Sequence, residues 1–436
     1  MILKQVRCAK QASRELMMLD GATKDKAFHS IAAALRSHHQ KIIAANKKDK
    51  DDALKNNLPQ ALMKRLSVDD IKLHEIIRMV EDVARLEDPC NKILQTIELD
   101  NGLVLEKVSV PIGVIGMIFE SRPDALVQIA CLALKSGNAI VMKGGSEAKH
   151  SNKVLAQIIQ NASTSAGVPK GWLQLIETRE QVKELLSLHE YIDLLIPRGS
   201  SEFVRYVMAN TKIPVLGHAS GICSIYVDKE VDLNQATDVC YDAKVQYPAV
   251  CNAVENLLVH KDIAKQFLEK MLAKYRDAGV ELRCDDKSYR IIKSQGIANP
   301  SQIKKATAKD WITEYNDLIL GIKVVNSSAE AIDFINSNGS HHTDAIMTSN
   351  KQTAEQFLNG VDSSSVLWNC STRFADGFRY GKGAEVGIST GKIHARGPVG
   401  VEGLLIYKYK LRGNGHVVRD YVGKNAKTFT HAIRGI

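Results

Sequence analysis

The strongest constraint on the fold of this chain is a regular alternation of short apolar segments with longer amphipathic ones. Apolar runs predict strands at 112–119, 139–143, 173–177 and 192–196. Helical periodicity predicts helices between and after them at 124–135, 148–165, 181–188 and 201–210. Parallel strands need a crossover connection, which is usually a helix, so the alternation predicts a parallel sheet covered on both faces.

A second alternating series follows residue 251. Strands are predicted at 256–260, 280–283, 318–325, 344–348 and 365–369, separated by helices that include 262–278 and 329–336. A chain of 436 residues exceeds the size at which a single hydrophobic core stops growing. The fold class is therefore α/β, with two parallel-sheet lobes.

A smaller β element belongs to neither lobe. Asn101-Gly102 is a favoured two-residue turn, and the apolar segments 97–99 and 103–110 flank it as a hairpin. A late strand at 404–410 could pair with this hairpin. Because an isolated hairpin is marginal in water and an exposed edge invites pairing, we expect a small oligomerisation appendage.

Composition excludes several classes of protein. The chain is 44% apolar and 25% charged, as in ordinary soluble domains, and no apolar run reaches the roughly 18 residues of a membrane span. The first ten residues lack the apolar core of a secretory signal. The eight cysteines include no CxxC pair, which argues against disulfides or zinc and favours a reducing cytoplasm.

The net charge of +9 has two interpretations, nucleic-acid binding or attraction of small anions. The basic residues are scattered among 49 acidic ones, with no stripe of basic and aromatic residues. We therefore expect neither a nucleic-acid partner nor a membrane partner.

Cys251 is the candidate nucleophile. It lies in the loop VQYPAVCNA (245–253), where Pro248 interrupts regular structure and the amide of Asn252 follows the thiol. A thiol in a loop between two regular elements can meet a ligand, and Cys370 at the end of a strand is the second choice. Three other cysteines lie among apolar neighbours and are predicted to be buried: Cys131, Cys223 and Cys240.

Two loops of small residues suggest a nucleotide site. The loop 144–146 follows a predicted strand and precedes a helix, where backbone N–H groups and the helix dipole favour a phosphate. The loop 197–201 has the same position after another strand. Neither has the GxGxxG pattern, but two such loops at one sheet edge suggest a dinucleotide, with Lys143 as a cation beside it.

The chain resembles the aldehyde dehydrogenase superfamily. The resemblance is carried by the Cys251 loop and by VPIGVIG (110–116), FESRP (119–123), KGG (143–145) and SHHTDAI (340–346). The segments STRFADGFRYG (371–381), GAEVGIS (383–389) and KIHARGP (392–398) narrow it to the branch that reduces the acyl phosphate of glutamate. The resemblance covers essentially the whole chain, and leaves no room for the kinase domain fused to some relatives.

The resemblance implies NADPH-dependent reduction of L-glutamyl 5-phosphate to L-glutamate 5-semialdehyde and phosphate, the second step of proline biosynthesis. The Cys251 thiolate would form a thioester that receives the hydride, which splits one hard step into two easier ones. It also implies three parts: an NADPH-binding domain (1–96 and 111–228), a catalytic domain (229–395), and an oligomerisation hairpin and tail (97–110 and 396–436). The expected partners are further copies of the chain, as a dimer or tetramer, and functional coupling to glutamate 5-kinase.

Departures from the superfamily pattern sharpen the prediction. Val215 stands where hydrolytic members place a general-base Glu, so a thioester would not meet activated water. Ser146 replaces the Glu that binds the cofactor ribose, which removes repulsion against a 2′-phosphate and favours NADP. Ser121 aligns with the oxyanion-hole Asn, and Glu314 matches the Glu that contacts the nicotinamide ribose.

The resemblance thus implies a full set of site residues and no metal ligands. The predicted catalytic residues are Cys251, Asn252 and Ser121. The predicted cofactor-binding residues are Lys143, Gly145, Ser146, Gly199, Ser200 and Glu314. The predicted substrate-binding residues are Arg122, His341, Arg373 and Phe374, with Arg379 as a further anion partner.

Two alternative functions remain open from the sequence. One is a non-phosphorylating aldehyde dehydrogenase that makes acids, against which the missing base at Val215 counts. The other is a catalytically inactive basic binding protein, which would require a clustered cationic surface that the sequence does not show.

Overall fold

The structure, a computed structural model, describes residues 2–120, 122–218, 220–294 and 302–434. Within these ranges the chain forms two parallel sheets, a four-stranded antiparallel sheet and a short antiparallel pair. Helices cover the two parallel sheets. The predicted α/β class with two lobes and an appendage is confirmed.

Five helices form the N-terminal part of the first lobe. They are α1 (Ile2–Leu16), α2 (Gly21–Ser37), α3 (His39–Lys55), α4 (Gln60–Leu66) and α5 (Asp70–Arg85). Asp20 and Asp69 cap α2 and α5, because each side chain accepts a backbone N–H three residues on. Among the described helices, none combines the length and apolar character that a membrane span requires.

The first sheet has four parallel strands in the order β5-β4-β3-β6. The strands are β3 (Val114–Ile118), β4 (Ala139–Lys143), β5 (Leu173–Leu175) and β6 (Leu194–Pro197). Its helices are α6 (Pro123–Lys135), α7 (Lys149–Ser165), α8 (Arg179–Ser187) and α9 (Ser201–Ala209). The strand order reverses between β3 and β6, and in such sheets ligands bind outside the carboxyl ends at the reversal.

The second sheet has seven parallel strands in the order β10-β9-β11-β8-β7-β12-β13. They are β7 (Cys223–Val227), β8 (Val254–His260), β9 (Glu281–Cys284), β10 (Ile303–Lys305), β11 (Ile319–Val325), β12 (Thr343–Met347) and β13 (Ser365–Trp368). The helices are α10 (Leu233–Val245), α11 (Ala264–Asp277), α12 (Asp286–Ser294), α13 (Ser328–Asn338) and α14 (Lys351–Gly360).

The predicted domain boundary at residue 228 falls one strand too late. β7 pairs with β8 and β12, so it is an inner strand of the second sheet. Among the described residues, the first sheet extends beyond β6 by a single bridge, from Val215 to Leu195. The first lobe therefore ends before Cys223.

The two sheets face each other across the junction that holds Cys251. Arg198 directly follows the carboxyl end of β6. Cys251 and His342 precede the amino ends of β8 and β12. The Arg198 guanidinium and the Cys251 thiol interact electrostatically, so the carboxyl edge of the first sheet meets the amino edge of the second.

The predicted appendage is a four-stranded antiparallel sheet in the order β16-β2-β1-β17. Its strands are β1 (Ile93–Asp100), β2 (Leu103–Pro111), β16 (Leu405–Arg412) and β17 (Ala432–Arg434). The expected pairing of the late strand with the hairpin is confirmed, with Tyr409 opposite Lys107. Two short strands that the sequence did not predict, β14 (Gly387–Ser389) and β15 (Gly397–Val399), pair with each other.

Part of the predicted C-terminal tail belongs instead to the first lobe. Val399, Val401 and Leu404 are buried in the same apolar core as the first sheet. Asn138 donates to the Leu404 carbonyl at 2.8 Å. The appendage proper begins at β16, because these contacts fix the residues before it on the cofactor side.

Candidate active site

The loop that carries Cys251 is closed at its base by a buried ion pair. Lys244, near the end of α10, lies 2.7 Å from Glu255 in β8, and both side chains are almost inaccessible. Inside the loop, Asn252 donates its side-chain amide to the Ala375 carbonyl at 3.0 Å. The ends and the centre of the loop are thereby fixed before any ligand binds.

A close backbone approach also positions Cys251. A Cβ atom on Gly221, just before β7, would lie 2.6 Å from the Cα atom of Cys251. Only glycine fits at such a distance. The Cys223 thiol donates to the Cys251 carbonyl at 3.2 Å, which holds the same segment from below.

Burial disfavours the thiolate form of Cys251. Burial raises its pKa to about 12, and the carboxylates of Glu314 and Glu385 act in the same direction. The Arg198 guanidinium opposes them. A thiol in this setting can act as a nucleophile only if a neighbouring group takes its proton.

Two imidazoles lie beside the thiol. The candidate ligand atoms of His218, Cys251 and His342 all lie within 4.8 Å of one another. His218 Nδ1 is 2.8 Å from the Ile388 carbonyl, and burial lowers the pKa of this histidine below its usual value. The two rings meet edge to face, with centroids 5.0 Å apart.

Two guanidiniums near Cys251 make no direct ion pair among the described residues, and carboxylates act on them only from a greater distance. Arg198 is exposed and makes no ion pair with a described residue. Arg373 is 8% exposed, and within the described part of the chain its side chain donates one hydrogen bond, to the Gln246 amide oxygen at 3.1 Å. Burial lowers the pKa of both arginines, and both interact electrostatically with Cys251. A buried cation without an ion pair, such as Arg373, is costly, and Arg198 adds a second positive charge close by, so this arrangement is suited to an anionic ligand.

The other predicted substrate residues lie at the rim of this region. Arg122 pairs with Asp124 at 2.9 Å, and Arg379 pairs with Asp376 at 3.5 Å. Phe374 is 51% exposed. The anion partners that the structure leaves unpaired are thus Arg198 and Arg373.

In the predicted cofactor loop after β4, neighbouring side chains pack directly against the backbone of a glycine. A Cβ on Gly144 would overlap the Asn152 amide and lie 3.1 Å from the Phe119 ring. Ser146 then opens a single 3-10 turn with Gly145 at its N-cap, directly before α7. Lys143 ends β4 half-buried, and burial and the nearby Arg179 lower its pKa. Arg179 is a second cation at this edge that the sequence analysis did not identify.

The second predicted cofactor loop contains the N-cap of helix α9. The Ser200 hydroxyl caps α9 by accepting the Phe203 N–H at 3.3 Å. A Cβ on Gly199 would lie 3.2 Å from the Phe203 ring. Glu314 is half-buried and interacts electrostatically with Cys251 and His218, so it lies near the thiol, and its contact with a cofactor ribose stays a prediction.

The two adjacent histidines of the SHHTDAI motif have different roles. His341 Nδ1 lies 2.6 Å from the Asp362 carbonyl, whereas His342 is fully buried next to Cys251. Ser121, the predicted oxyanion residue, lies outside the described residues. Sequence reasoning missed His218, His342 and Arg198 as site residues. Their motifs were recognised, but no local pattern indicates which member of each motif reaches the thiol.

The fold thus places a cysteine thiol between a parallel sheet whose strand order reverses and a second α/β sheet. A model of the aldehyde dehydrogenase family matches residues 2–306. The chain belongs to the aldehyde dehydrogenase family, whose enzymes use nicotinamide cofactors.

Relatives narrow this assignment. The chain is 58% identical over 435 residues to gamma-glutamyl phosphate reductase of Methanococcoides burtonii, covering 99% of this chain and 96% of that protein. It is 51% identical over 422 residues to the enzyme of the same name from Acetivibrio thermocellus, covering 97% and 96%. Within its family the chain groups with the gamma-glutamyl phosphate reductases, and is an oxidoreductase, as the resemblance predicted.

Solved structures agree. The crystal structure of gamma-glutamyl phosphate reductase from Thermotoga maritima matches with a TM-score of 0.91 and 39% identity, over 95% of this chain and 99% of that one. A glyceraldehyde-3-phosphate dehydrogenase from Methanocaldococcus jannaschii, solved with NADP, matches with a TM-score of 0.65 and 16% identity, over 95% and 94%. The second likeness supports the fold alone.

Proposed function

We propose that this chain reduces L-glutamyl 5-phosphate with NADPH, through a thioester on Cys251, to L-glutamate 5-semialdehyde and phosphate. The observation that carries this proposal is the pair of guanidiniums beside the thiol, Arg198 and Arg373, which make no direct ion pair among the described residues. The substrate carries two anionic groups, a phosphate and an α-carboxylate. Each guanidinium can hold one of them through paired hydrogen bonds.

The first step is attack of the Cys251 sulfur on the acyl carbon. A carbon–sulfur bond forms, the bond from carbon to the phosphate oxygen breaks, and phosphate leaves. The thiol proton passes to an imidazole, since ring nitrogens of His218 and His342 lie within 4.8 Å of the sulfur. The leaving phosphate stays near the arginines, which neutralise its charge.

The oxyanion that forms on the acyl oxygen needs N–H donors. The backbone N–H groups of Cys251 and Asn252 donate to no backbone carbonyl among the described residues, and the Asn252 side-chain amide is held by Ala375. We therefore assign the oxyanion to the backbone N–H groups of this loop. Asn252 contributes through its main chain and by anchoring the loop.

The cofactor region fits NADPH better than NADH. Lys143 and Arg179 place two cations at the carboxyl edge of the first sheet, and Ser146 stands where a ribose-binding carboxylate would repel a 2′-phosphate. Bound there, NADPH supplies the hydride that reduces the thioester. Glu314 lies near the sulfur and is placed to orient the ribose.

The chain favours reduction of the thioester over its hydrolysis. Val215, which bridges to Leu195 in the first sheet, supplies no base at the position where hydrolytic family members carry one. After reduction the carbon–sulfur bond breaks, the sulfur regains its proton, and the semialdehyde leaves. A thioester that does not meet activated water survives until the hydride arrives.

The proposed reaction is the second step of proline biosynthesis from glutamate. Its acyl phosphate must come from a glutamate 5-kinase, and we propose functional coupling to that enzyme because acyl phosphates are labile. We assign the reaction to the cytoplasm, consistent with eight cysteines that are all unpaired. The active form is proposed to be a homo-oligomer, a dimer or a tetramer.

The reverse reaction tests the proposal. Glutamate 5-semialdehyde and NADP should yield NADPH only when inorganic phosphate is present, because phosphate must release the thioester. An acid-forming dehydrogenase would reduce NADP without phosphate and produce glutamate. Phosphate-independent turnover would therefore replace the proposed function by that alternative.

A further inference from the structure

A cluster of three metal-binding side chains lies at the junction of the two sheets. The ligand atoms of His218, Cys251 and His342 lie within 4.8 Å of one another, although the residues come from three separate segments. The sequence predicted no metal ligands, because residues so far apart form no spacing motif. The three are brought together by the fold, since Cys251 and His342 precede β8 and β12 in one sheet.

Both imidazoles keep a free nitrogen. A carbonyl can only accept, so His218 Nδ1 donates to the Ile388 carbonyl and its Nε2 keeps a lone pair. Such a bond to the outer nitrogen is how proteins orient histidines that bind metals. His342 Nδ1 lies 2.9 Å from the Thr343 hydroxyl and 3.7 Å from the Cys223 sulfur. In the tautomer whose Nδ1 donates to the hydroxyl oxygen, Nε2 keeps a lone pair.

The nitrogen of His342 is an independent indication of a ligand. His342 is fully buried, and its Nε2 has no hydrogen-bond partner among the described residues. A buried polar nitrogen without a partner costs about 1–3 kcal/mol. A ligand that accepts its lone pair would remove this cost.

The donor set selects the kind of metal. Two imidazole nitrogens and a thiolate, without a carboxylate among the three, suit zinc or a similar borderline-soft divalent ion. Tetrahedral zinc holds such atoms about 3.3–3.6 Å apart. The three ligand atoms are at most 4.8 Å apart in the structure, so side-chain movements of about 1 Å would bring them to the distances of a zinc site. The fourth position would be left for water or an anion.

We infer that His218, Cys251 and His342 form a binding site for Zn²⁺ that competes with the acyl substrate for the cysteine. Binding forms one zinc–sulfur and two zinc–nitrogen bonds, and the thiol proton is released to solvent. Metal binding does not depend on the proposed function, but its inhibitory effect rests on it, because Cys251 is then the blocked nucleophile.

The binding test uses the whole protein and Co²⁺ as the probe. Titration should produce a thiolate-to-cobalt charge-transfer absorption that saturates at one ion per chain, and Zn²⁺ should abolish it. Cys251→Ser should lack this absorption, and His342→Asn should bind about tenfold more weakly or worse. Thermal unfolding midpoints establish that the variants are folded.

Matched controls separate the site from adventitious thiol or imidazole binding. Cys370→Ser removes another partly buried thiol and His189→Gln an exposed imidazole, and both should keep the wild-type affinity. The inference is overturned if the absorption persists in Cys251→Ser. It is also overturned if folded His342→Asn and wild type bind equally.

Inhibition is measured separately. Zn²⁺ should inhibit the phosphate-dependent reaction reversibly, with recovery on adding EDTA and protection by the acyl substrate or its semialdehyde. A chain that binds Co²⁺ as expected but lacks phosphate-dependent turnover would refute the proposed function and keep the metal site. Phosphate-dependent turnover without one-to-one cobalt binding would refute the metal site and keep the proposed function.

Discussion

At the scale of single residues, Cys251 carries the proposed chemistry. Cys251→Ala removes the sulfur that forms the thioester, so phosphate-dependent turnover should fall below detection. Binding of NADPH should remain, because its proposed contacts lie at the first sheet. Steady-state turnover and fluorescence titration with NADPH measure the two effects. Cys370→Ala is the matched control and should remain active. If Cys370→Ala lost turnover while Cys251→Ala kept it, Cys370 rather than Cys251 would be the nucleophile.

Lys143 should discriminate between the two cofactors. Its ammonium ends β4, where burial and Arg179 lower its pKa, so a 2′-phosphate would relieve the repulsion between the two cations. Removing one charge-assisted contact costs about 1.5–3 kcal/mol, less where solvent screens it. Lys143→Ala should therefore raise the KM for NADPH about tenfold or more and that for NADH little. Initial rates with each cofactor decide this.

The control for Lys143 is Lys153→Ala, an exposed lysine further along α7. It should change neither KM. Equal effects of Lys143→Ala on the two cofactors would refute contact with the 2′-phosphate and would assign the lysine to a part that both cofactors share.

At the scale of elements, the buried ion pair between α10 and β8 fixes the loop that holds the nucleophile. Burial raises the pKa of Glu255 to about 7 and lowers that of Lys244. Lys244→Met would leave a buried carboxyl group without its partner, which costs about 3–5 kcal/mol. The double variant Lys244→Met with Glu255→Leu should recover most of this loss, since apolar side chains can replace buried pairs. Urea unfolding measures both.

The control for the buried pair of Lys244 and Glu255 is an ion pair on the protein surface. Lys274 lies 2.6 Å from Asp238 on the surface, and Lys274→Met should cost less than about 1 kcal/mol. A double variant no more stable than Lys244→Met would show that the pair itself, rather than the avoidance of an unpaired charge, stabilises the loop.

Asp362 joins the segment before β15 to the second lobe. Hydrogen bonds from Lys392 and Arg396 lower the pKa of Asp362 to about 2. The folded-state pKa lies below the unfolded value of about 3.9, so the stabilisation is present above pH 4 and is lost as the pH falls towards 2. Because the side chain is 40% exposed, we expect only about 1 kcal/mol.

Asp362→Asn should therefore lower the unfolding midpoint at pH 6 and show a smaller further drop between pH 4.5 and pH 3 than the wild type. Thermal unfolding at the three pH values measures this. Asp277→Asn, whose carboxylate is 69% exposed and pairs with the adjacent Arg276, should keep the wild-type slope. An unchanged slope in Asp362→Asn would contradict the pairing.

At the scale of the whole molecule, the appendage presents an apolar row to solvent. Ile433, Ile97, Leu105 and Leu411 are opposite one another in successive strands, and cross-strand partners share a face of the sheet. Ile433 is 72% exposed and Leu411 57% exposed. A second copy of the chain is the occupant we predict, since a two-fold dimer is the most common closed form.

Leu411→Asp should dissociate this oligomer, because it places a charge in the row. Light scattering at micromolar concentration should give a multiple of 48.0 kDa for the wild type and a smaller mass for the variant. Lys408→Asp, on the opposite face of the same strand, is the control. A monomeric wild type that is fully active would refute the predicted oligomer, and so would an unchanged mass for Leu411→Asp.

The sequence by itself determined what depends on local pattern. Alternating periodicity predicted both parallel sheets and Asn101-Gly102 predicted the hairpin, which the structure confirms. The loop around Pro248 singled out Cys251, whose role stays a prediction. Such features follow from residues close in the chain, since periodicity reports which face of an element is buried. Composition added the expectation of a chain without disulfides, and the structure leaves its eight cysteines unpaired.

Only the tertiary structure decided which elements and side chains meet. Periodicity does not specify the partner of a strand, so β7 was assigned to the wrong lobe. Arg198 and His218 reach Cys251 because the carboxyl edge of one sheet faces the amino edge of the other, whereas His342 lies beside Cys251 because β8 and β12 belong to one sheet. Val399 and Leu404 are buried in the first lobe because their apolar side chains pack against residues far away in the chain. No local segment encodes such long-range packing.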